Sequence, residues 1–549
     1  MKADYILVNG KFYTSNEAQP WADAAAVKDG KFAAVGSWED MSPCTADCPV
    51  YDLGGRLVLP GMIDAHTHMG LSVMLGDDDD GFPMYDCKSK QEILETLRRE
   101  VKAHPFKLYY AMFIGQAEAL DGETLTRWEL DKIVKFRPVI LMESECHSAW
   151  VNSAALKLMR YNRNTPDPAP GYSYMERTAD GELTGCIKEM AMLPLLEICG
   201  NVSDKDMKSG MKKIMDYLVA HGVTTVFDAG NYLNEENTYK LLKEMDEAGD
   251  LPVRVEGTHI INMPDKLPGA IEKFKYFRDT YTTENIKFKT MKMMFDGTQR
   301  IRTAKMLEPY NGTEITGGTI IPHELLNQFV RDLDAEGIDF HLHTVGEGAI
   351  RMVMDAVEKA RTELGRPLNI RVTCAHVEVL HPDDINRFKE LDIIANFTPH
   401  WHGGACAADI HAMEKLLGEY RANNSLQAKT VFDTGACVTF SSDEVSLHTL
   451  DRWSPFTGME IGHTRREINE DGSLGPVFPP AAECLELEDL IKGYTINAAY
   501  QLRLENQIGS IEPGKDADMV ILKENLFEMD PYEIHNILPE AVIIRGKKR

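Results

Sequence analysis

The feature that most constrains this chain is a series of short apolar, β-prone runs that end in polar residues and are followed by helix-like stretches. Repeated strand–helix alternation predicts a parallel sheet covered by helices. Polar residues that recur at the carboxyl ends of such strands predict an α/β fold, the (β/α)8 TIM barrel, whose active site forms at that face. The runs and their polar ends are 57–63 with Asp64, 223–227 with Asp228, 288–295 with Asp296, 338–340 with His341, 370–374 with His376, 393–397 with His400 and 437–440 with Asp443.

Both ends of the chain carry a different pattern, in which β-prone runs are separated by tight turns. Asn9-Gly10 and Asp29-Gly30 each lie between two such runs and predict β-hairpins. Neither end is large enough for a core of its own. We therefore predict that residues 1–58 and 505–549 combine into one small β-sandwich domain, and that residues 59–504 form the barrel domain.

The barrel is predicted to carry one large insertion. The residues between the run at 57–63 and the run at 223–227 are far too many for a single βα loop. We predict that about 70–205 is an insertion after the first barrel strand, folded over the barrel mouth.

The charge, the apolar runs and the cysteines of the chain indicate which partners and which cellular location to expect. The 549 residues include 59 Lys and Arg against 86 Asp and Glu, a formal net charge of −27 at pH 7. This excess argues against nucleic acid as a partner and disfavours an anionic membrane surface. No apolar run reaches the ~18 residues of a membrane span. Asp4 lies where a secretion signal would be apolar, and the ten Cys include no CxxC pair. We expect a cytoplasmic protein that acts on a small molecule.

His66 and His68 form the first candidate metal site. Residues i and i+2 of a strand point the same way, so both imidazoles would face the barrel mouth and share one cation. The alternative is two polar residues at a strand end with no ligand role.

His343 and His376 follow two later strands, one βα unit apart. His341 has the same parity as His343 but lies one pleat deeper, so it ranks second as a ligand. A buried structural histidine is the alternative for each.

Asp443 and Lys292 complete the candidate set. A carboxylate after the last strand, as Asp443 is, binds a cation and accepts a proton from water, although Asp is also a favoured helix cap. A lysine in an apolar strand, as Lys292 is, is costly unless it is paired or neutralised. It is either carboxylated by CO₂ and bridges two cations, or it pairs with an acid such as Asp296.

Taken together, these motifs resemble the metal-dependent amidohydrolase superfamily, and within it the amidohydrolase-3 branch that includes N-substituted formamide deformylases. The similarity runs in order along nearly the whole chain. The matching stretches are 60–68 (PGMIDAHTH), 146–156 (CHSAWVNSAAL), 185–189 (GCIKE), 221–226 (HGVTTV), 292–297 with 302–304 and 308–310, 343–347 (HTVGE), 494–499 (YTINAA) and 508–518 (IGSIEPGKDAD).

The resemblance implies a role for each matching residue. His66 and His68 match the paired metal histidines, Lys292 the lysine that is carboxylated in binuclear members, His343 and His376 the later ligands, and Asp443 the aspartate that binds metal and carries protons. Some relatives bridge with other residues, so Cys186 or Glu189 is the alternative to Lys292. The chain departs from the family pattern near the substrate pocket, at Glu145-Cys146, at Glu347 and at Glu444-Val445.

The expected activity is hydrolysis of a C–N bond in a small amide, formamide or cyclic amide by hydroxide that one or two Zn²⁺ activate. Asp443 would carry the proton and His147 would stabilise the oxyanion. Trp150, His400 and His402 are candidate substrate contacts, and Trp401 a candidate apolar wall. The alternatives are ester hydrolysis or heterocycle deamination on the same fold, or a non-catalytic binding or regulatory protein. A symmetric homodimer is the assembly that large barrel enzymes often form.

Overall fold

The structure is a computed structural model that describes residues 2–44, 48–75, 84, 87–115, 124–143, 146–199, 202–404, 410–447, 449–469 and 471–549. Every element below lies within these ranges. None of the described helices is both long and apolar enough to cross a membrane.

The chain begins with short strands. They are β1 (Tyr5–Val8), β2 (Lys11–Tyr13), β3 (Trp21–Ala22), β4 (Ala24–Lys28), β5 (Lys31–Gly36), β6 (Val50–Asp52), β7 (Leu57–Pro60) and β8 (Met62–Thr67). The hairpin predicted at Asp29-Gly30 is confirmed, because β4 and β5 pair antiparallel across it. The hairpin predicted at Asn9-Gly10 is wrong: β1 pairs with β4 and β6, whereas β2 pairs with β3 and β7. Asn9, with φ 53, turns the chain from one sheet into the other.

A separate five-stranded sheet follows β8, in the region where the insertion is predicted. Its strands are β9 (Tyr110–Ile114), β10 (Val139–Glu143), β11 (Ser148–Val151), β12 (Tyr174–Arg177) and β13 (Leu183–Lys188). Their order is β12-β13-β11-β10-β9, and only β9 and β10 are parallel. Leu141, Trp150 and Cys186 lie in the apolar core of this sheet.

The central strands are all parallel to their neighbours. They are β14 (Val223–Asp228), β15 (Arg254–Gly257), β16 (Ile260–Ile261), β17 (Ile286–Phe288), β18 (Thr290–Met294), β19 (Asp339–Thr344), β20 (Val372–His376), β21 (Ile393–Phe397) and β22 (Val438–Phe440). With β8 they form two sheets, ordered β17-β15-β14-β8 and β16-β18-β19-β20-β21-β22. The predicted α/β class is confirmed. The prediction missed β15 and β16, because buried Arg254 and Glu256 interrupt the apolar pattern there.

Hydrogen bonds link the two outermost strands of these sheets. The Asp443 N–H, just after β22, donates to the His66 carbonyl in β8 at 3.0 Å, and the Ser442 N–H donates to the Asp64 carboxylate at 3.0 Å. The ends of the first and last parallel strands therefore meet. Closure into a full eight-stranded barrel stays a prediction.

The last strands are β23 (Arg466–Ile468), β24 (Leu474–Val477), β25 (Met519–Leu522), β26 (Ala541–Ile544) and β27 (Lys547–Lys548). β25 pairs antiparallel with β7, so strands from both chain ends share one sheet, ordered β27-β26-β25-β7-β2-β3. Arg254 joins this sheet to the central strands, since its guanidinium binds Asp516 at 2.6 Å and also Asp518. The β-sandwich and the boundaries of the two domains remain predictions.

The described helices are α1 (Met69–Leu75), α2 (Lys90–Ala103), α3 (Arg127–Asp131), α4 (Ser153–Leu158), α5 (Leu193–Cys199), α6 (Asp204–Ala220), α7 (Glu235–Glu247), α8 (Ala270–Tyr281), α9 (His323–Glu336), α10 (Glu347–Leu364), α11 (Arg387–Glu390), α12 (Ile410–Leu417), α13 (Glu419–Ala422), α14 (Ala428–Asp433), α15 (Pro455–Thr464), α16 (Leu487–Tyr494) and α17 (Ile496–Gln501). Ile93 and Leu97 of α2 and Leu130 of α3 pack in the core of the insertion sheet. In α10 the buried residues Ile350, Val353, Met354 and Val357 recur at helical spacing and form one apolar face.

Candidate metal centre

His66 and His68 lie at the end of β8, and alternate pleating turns both rings to one side. Their Nε2 atoms are 3.3 Å apart. His68 Nδ1 is 2.8 Å from the Gly230 carbonyl, which only accepts, so Nδ1 carries the hydrogen and Nε2 of the neutral ring keeps a lone pair. His66 Nδ1 lies 3.0 Å from Nε2 of His341. His341 therefore contacts His66. It does so from one pleat deeper in the strand than His343, as its position in the sequence predicts.

Asp443 faces these rings from beyond β22. It has a left-handed φ of 49, and the bond from its N–H to His66 holds this turn in place. Its Oδ1 is 3.4 Å from Nε2 of both His66 and His68, and its Oδ2 is 3.4 Å from Nδ1 of His376. The ligand atoms of His66, His68 and Asp443 all lie within 4.8 Å of one another.

Lys292 lies in β18 opposite His341 and is fully buried. Its Nζ is 3.0 Å from His66 Nε2. Burial lowers the pKa of the Lys292 ammonium to about 7, although the Asp443 carboxylate opposes the shift. The alternative that Asp296 neutralises Lys292 is wrong. The Asp296 carboxylate instead accepts hydrogen bonds from the backbone N–H groups of 305, 345 and 346 and lies 3.3 Å from His343.

His343 and His376 come from the ends of the next two strands, and their ring centroids are 4.4 Å apart. Burial, with the Lys292 charge, lowers the pKa of His343 to about 3, and burial also lowers the pKa of His376. Within the described part of the chain, neither ring nitrogen of His376 makes a hydrogen bond. The Trp401 ring stacks on the His376 ring, with ring centroids 5.4 Å apart and an interplanar angle of 21°. This position agrees with the predicted role of Trp401 as an apolar wall of the site.

The insertion contributes His147, which faces His343 at 5.8 Å between ring centroids. Its Nδ1 is 2.7 Å from Oε2 of Glu189, and the Glu189 N–H donates to the His147 carbonyl at 2.7 Å. The other carboxylate oxygen of Glu189 accepts the Thr303 hydroxyl at 2.5 Å. Glu189 is fully buried and has a φ of 52. The insertion therefore brings a carboxylate–histidine pair to the edge of the histidine cluster.

The other candidates lie deeper in the protein. Trp150 is 3% exposed in the core of the insertion, beside Cys186, whose thiol pKa burial raises to about 12. His400 is 1% exposed, lies 3.1 Å from the Ser454 carbonyl, and has a pKa that burial lowers to about 3. His402 is fully buried. Their roles as substrate contacts stay predictions.

Three side chains at this site were not among the candidates. Tyr232 packs on His68 with ring centroids 5.9 Å apart, and burial raises its pKa well above the usual range. Thr303 belongs to one of the matching stretches, and Asp64 ends the first predicted strand. A search of strand-end neighbours would have found Asp64 and, four residues after Asp228, Tyr232.

The cluster brings imidazole nitrogens and carboxylate oxygens close together without a hydrogen bond between them. Nε2 of His68 lies 3.4 Å from a carboxylate oxygen of Asp443. A divalent cation would take both atoms as ligands. Buried imidazoles with a carboxylate are the donor set that zinc and related cations prefer. The residues therefore fit a metal centre.

Comparison with known proteins identifies the family. The chain matches the model of the amidohydrolase family, Amidohydro_3, over residues 49–548. The chain belongs to the amidohydrolase family. The resemblance inferred from the sequence motifs is thereby confirmed, and the protein falls in a family of metal-dependent hydrolases.

Similar proteins cover between 73% and 100% of the amidohydrolase chain. N-substituted formamide deformylase of Arthrobacter pascens is 25% identical over 570 residues, 100% of this chain and 98% of that protein. The exoenzymes regulatory protein AepA of Pectobacterium carotovorum subsp. carotovorum is 26% identical over 410 residues, 73% of this chain and 86% of that protein. An uncharacterized metal-dependent hydrolase from Pyrococcus horikoshii OT3 has a TM-score of 0.67 at 20% identity and covers 96% of this chain and 99% of its own, a likeness in fold.

Proposed function

We propose that this amidohydrolase cleaves a C–N bond of a small amide, formamide or cyclic amide with one or two Zn²⁺ held at the mouth of a (β/α)8 barrel. The observation that carries the proposal is the convergence of His66, His68 and Asp443, whose ligand atoms lie within 4.8 Å of one another. The similarity to a formamide deformylase supports the choice of bond.

The proposed ligands are the four histidines His66, His68, His343 and His376 with Asp443, and Lys292 once carboxylated. When bound, zinc would supply the Lewis acidity that lowers the pKa of water and polarises a carbonyl. Lys292 supports the bridging role because it is buried, carries an amine 3.0 Å from His66 and is not paired with Asp296. We assign the bridge to Lys292 rather than Glu189, because both Glu189 oxygens are already hydrogen-bonded.

Asp443 is the proposed proton carrier. Its carboxylate lies against three imidazoles and keeps 13% of its side chain exposed, so it reaches both the cluster and the open side. It would accept a proton from the attacking water and donate it to the leaving nitrogen. Its left-handed backbone, held by the bond to the His66 carbonyl, keeps the carboxylate in place for both transfers.

His147 is the proposed stabiliser of the oxyanion. A carboxylate only accepts, so the bond to Glu189 keeps a hydrogen on Nδ1 of His147. In this proposal His147 acts as the doubly protonated ring, whose Nε2–H would donate to the developing oxyanion. Thr303 holds the second oxygen of Glu189 and so fixes the direction of the pair. Glu189 is a positioning residue in this proposal.

Metal analysis combined with two variants tests the proposal. We expect one or two zinc ions per chain by elemental mass analysis, and loss of turnover in His68→Ala and Asp443→Ala with the fold retained. His411→Ala and Asp383→Ala are matched controls, because each of those side chains is 80% exposed. Normal turnover in either site variant contradicts the site. Absence of metal, with no gain on adding Zn²⁺, Mn²⁺ or Co²⁺, favours a non-catalytic role.

A substrate panel separates the bond classes. Formamides, other amides and cyclic amides are compared with esters and aminated heterocycles of similar size, using the metal-loaded wild type and Asp443→Ala. Turnover of esters or heterocycles alone contradicts C–N amide cleavage. Homodimer formation and a cytoplasmic location remain predictions.

A further inference from the structure

Two loops of the insertion lie side by side at one edge of its sheet. Residues 104–109 precede β9 and residues 132–138 precede β10. β9 and β10 are adjacent and parallel, with Tyr110 opposite Val139, so their amino-terminal loops meet at the same edge. We call this pair of loops the distal tip.

The distal tip is held together by Arg137. Its guanidinium donates to the carbonyls of Pro105 at 2.6 Å and Lys107 at 3.0 Å, and it lies 5.0 Å from the centre of the Tyr110 ring. The Tyr110 hydroxyl donates to the His104 carbonyl at 2.8 Å. These bonds cross from one loop to the other and fix the side chains that the loops present.

The distal tip exposes three large apolar side chains almost completely. Phe106 is 94% exposed, Phe136 87% and Leu108 84%. The next most exposed large apolar side chain in the described part of the chain, Leu538, is 64% exposed. Three such side chains lie on two loops that hydrogen bonds join, and a concentration of exposed apolar surface of this kind marks an interaction site.

The charge of the distal tip is opposite to that of the whole chain. Residues 104–109 and 132–138 contain four cations and no Asp or Glu, in a chain of net charge −27. The cations are Lys107, Lys132, Lys135 and Arg137. The Lys135 ammonium lies 5.6 Å from the centre of the Phe136 ring, so charge and apolar surface are interleaved. The local charge of this edge is therefore opposite to the net charge that disfavours an anionic membrane surface for the chain as a whole.

We propose that the distal tip docks on the anionic surface of a phospholipid bilayer. Exposed Phe and Leu side chains enter the boundary between head groups and acyl chains, while Lys and Arg bind lipid phosphates and carboxylates. The alternative occupant, the same face of a second copy, would bring two sets of four cations together, and neither pair of loops contains an Asp or Glu of its own. The charge pattern therefore favours lipid.

The distal tip and the pair formed by His147 and Glu189 lie beyond opposite ends of β10, so the two can be tested separately. β10 has five residues, from Val139 to Glu143, and a strand rises about 3.3 Å per residue. The tip precedes the amino end of β10, and His147 follows its carboxyl end. We therefore expect variants at the tip to leave turnover unchanged.

Vesicle sedimentation with the full chain tests the proposal. We expect binding to vesicles of phosphatidylcholine with phosphatidylserine, weaker binding at high salt, and little binding to phosphatidylcholine alone. The double variant Phe106→Ser/Phe136→Ser should lose at least about tenfold in affinity, since each ring contributes through burial. Tyr420→Ser/Leu538→Ser is the matched control, because those side chains are 62% and 64% exposed elsewhere.

A second pair of variants tests the charge. Lys107→Gln/Lys135→Gln should lose about fivefold per lysine, as expected for basic groups near an anionic membrane, whereas Lys547→Gln/Lys548→Gln should bind as wild type. Circular dichroism checks that each variant folds. Absence of wild-type binding, or equal binding by the tip variants and their controls, overturns the proposal. Concentration-dependent dimerisation in the absence of vesicles would also overturn the proposal if Phe106→Ser/Phe136→Ser abolishes it. That result would assign the tip to contact with a second copy of the chain.

Discussion

Gly297 offers a sharp test of the pair formed by His147 and Glu189. It follows Asp296 just beyond β18, where a Cβ atom would lie 2.1 Å from the Thr303 hydroxyl oxygen and 2.3 Å from Oε1 of Glu189. Glycine at this position therefore makes the space in which the Glu189 carboxylate meets Thr303. The substitution Gly297→Ala adds one methyl group to that space.

The size of the effect follows from these distances. Ordinary contact begins near 3.4 Å, so Thr303 and Glu189 must each retreat by about 1 Å. Thr303 is held by the Thr298 N–H at 3.0 Å, so most of the movement falls on Glu189 and on His147. Overpacking of this kind costs about 1–3 kcal/mol of unfolding free energy. A displacement of 1 Å at a catalytic group costs about 100-fold in rate.

The assay compares turnover, metal content and thermal unfolding of Gly297→Ala with those of Gly475→Ala. The control glycine is a fair match, because its added Cβ would meet nothing closer than 3.3 Å. We expect turnover to fall about 100-fold with metal content unchanged, since the three atoms nearest to the new methyl group belong to Thr303 and Glu189, which are not proposed metal ligands. Wild-type turnover in Gly297→Ala would refute the assignment of Glu189 and His147 to the reaction.

Two further predictions concern Lys292 and Glu256. Lys292→Ala should lose part of the bound metal and most turnover, with partial rescue by short-chain carboxylates, whereas Lys289→Ala, exposed just before the same strand, should lose neither. Burial raises the pKa of Glu256 from 4.5 to about 8, so the folded chain keeps a proton that the unfolded chain loses, and stability falls as pH rises from about 4.5 to 8. Glu256→Gln should remove that fall and add about 4 kcal/mol at pH 8 and nothing at pH 4, by denaturant unfolding.

Specific results would contradict the predictions for Lys292 and Glu256. Full metal retention in Lys292→Ala would move the bridge to another residue, first to Glu189. A pH-independent difference between Glu256→Gln and wild type would mean that Glu256 is ionised in the folded protein. The exposed Glu272, substituted in the same way, checks that loss of one negative charge is not itself the cause.

Much of the α/β fold could be predicted from the sequence because its signals are local. A short apolar run with a polar end specifies a strand and the place where it stops, and the two-residue period of a strand decides which side chains share a side. This is why His66 and His68 could be paired in advance, and why His341 could be placed below His343. The strand at 254–257 was missed for the same reason, since Arg254 and Glu256 break the local pattern and are buried only through tertiary partners.

Tertiary structure decided what local pattern cannot encode. Asn9-Gly10 has the composition of a hairpin, yet β1 and β2 find partners in different sheets. Asp296 is four residues from Lys292 but turns to backbone N–H groups of a different segment.

The chain by itself indicated most of the parallel strands, the family and the candidate donor residues, because these depend on neighbours along the sequence. Which donors meet, that Glu189 orients His147 rather than standing free, and that cations gather at one edge of an acidic protein were decided by packing. The physical reason is that hydrogen bonds and charges act over a few ångströms in space, across separations of tens to hundreds of residues in the chain.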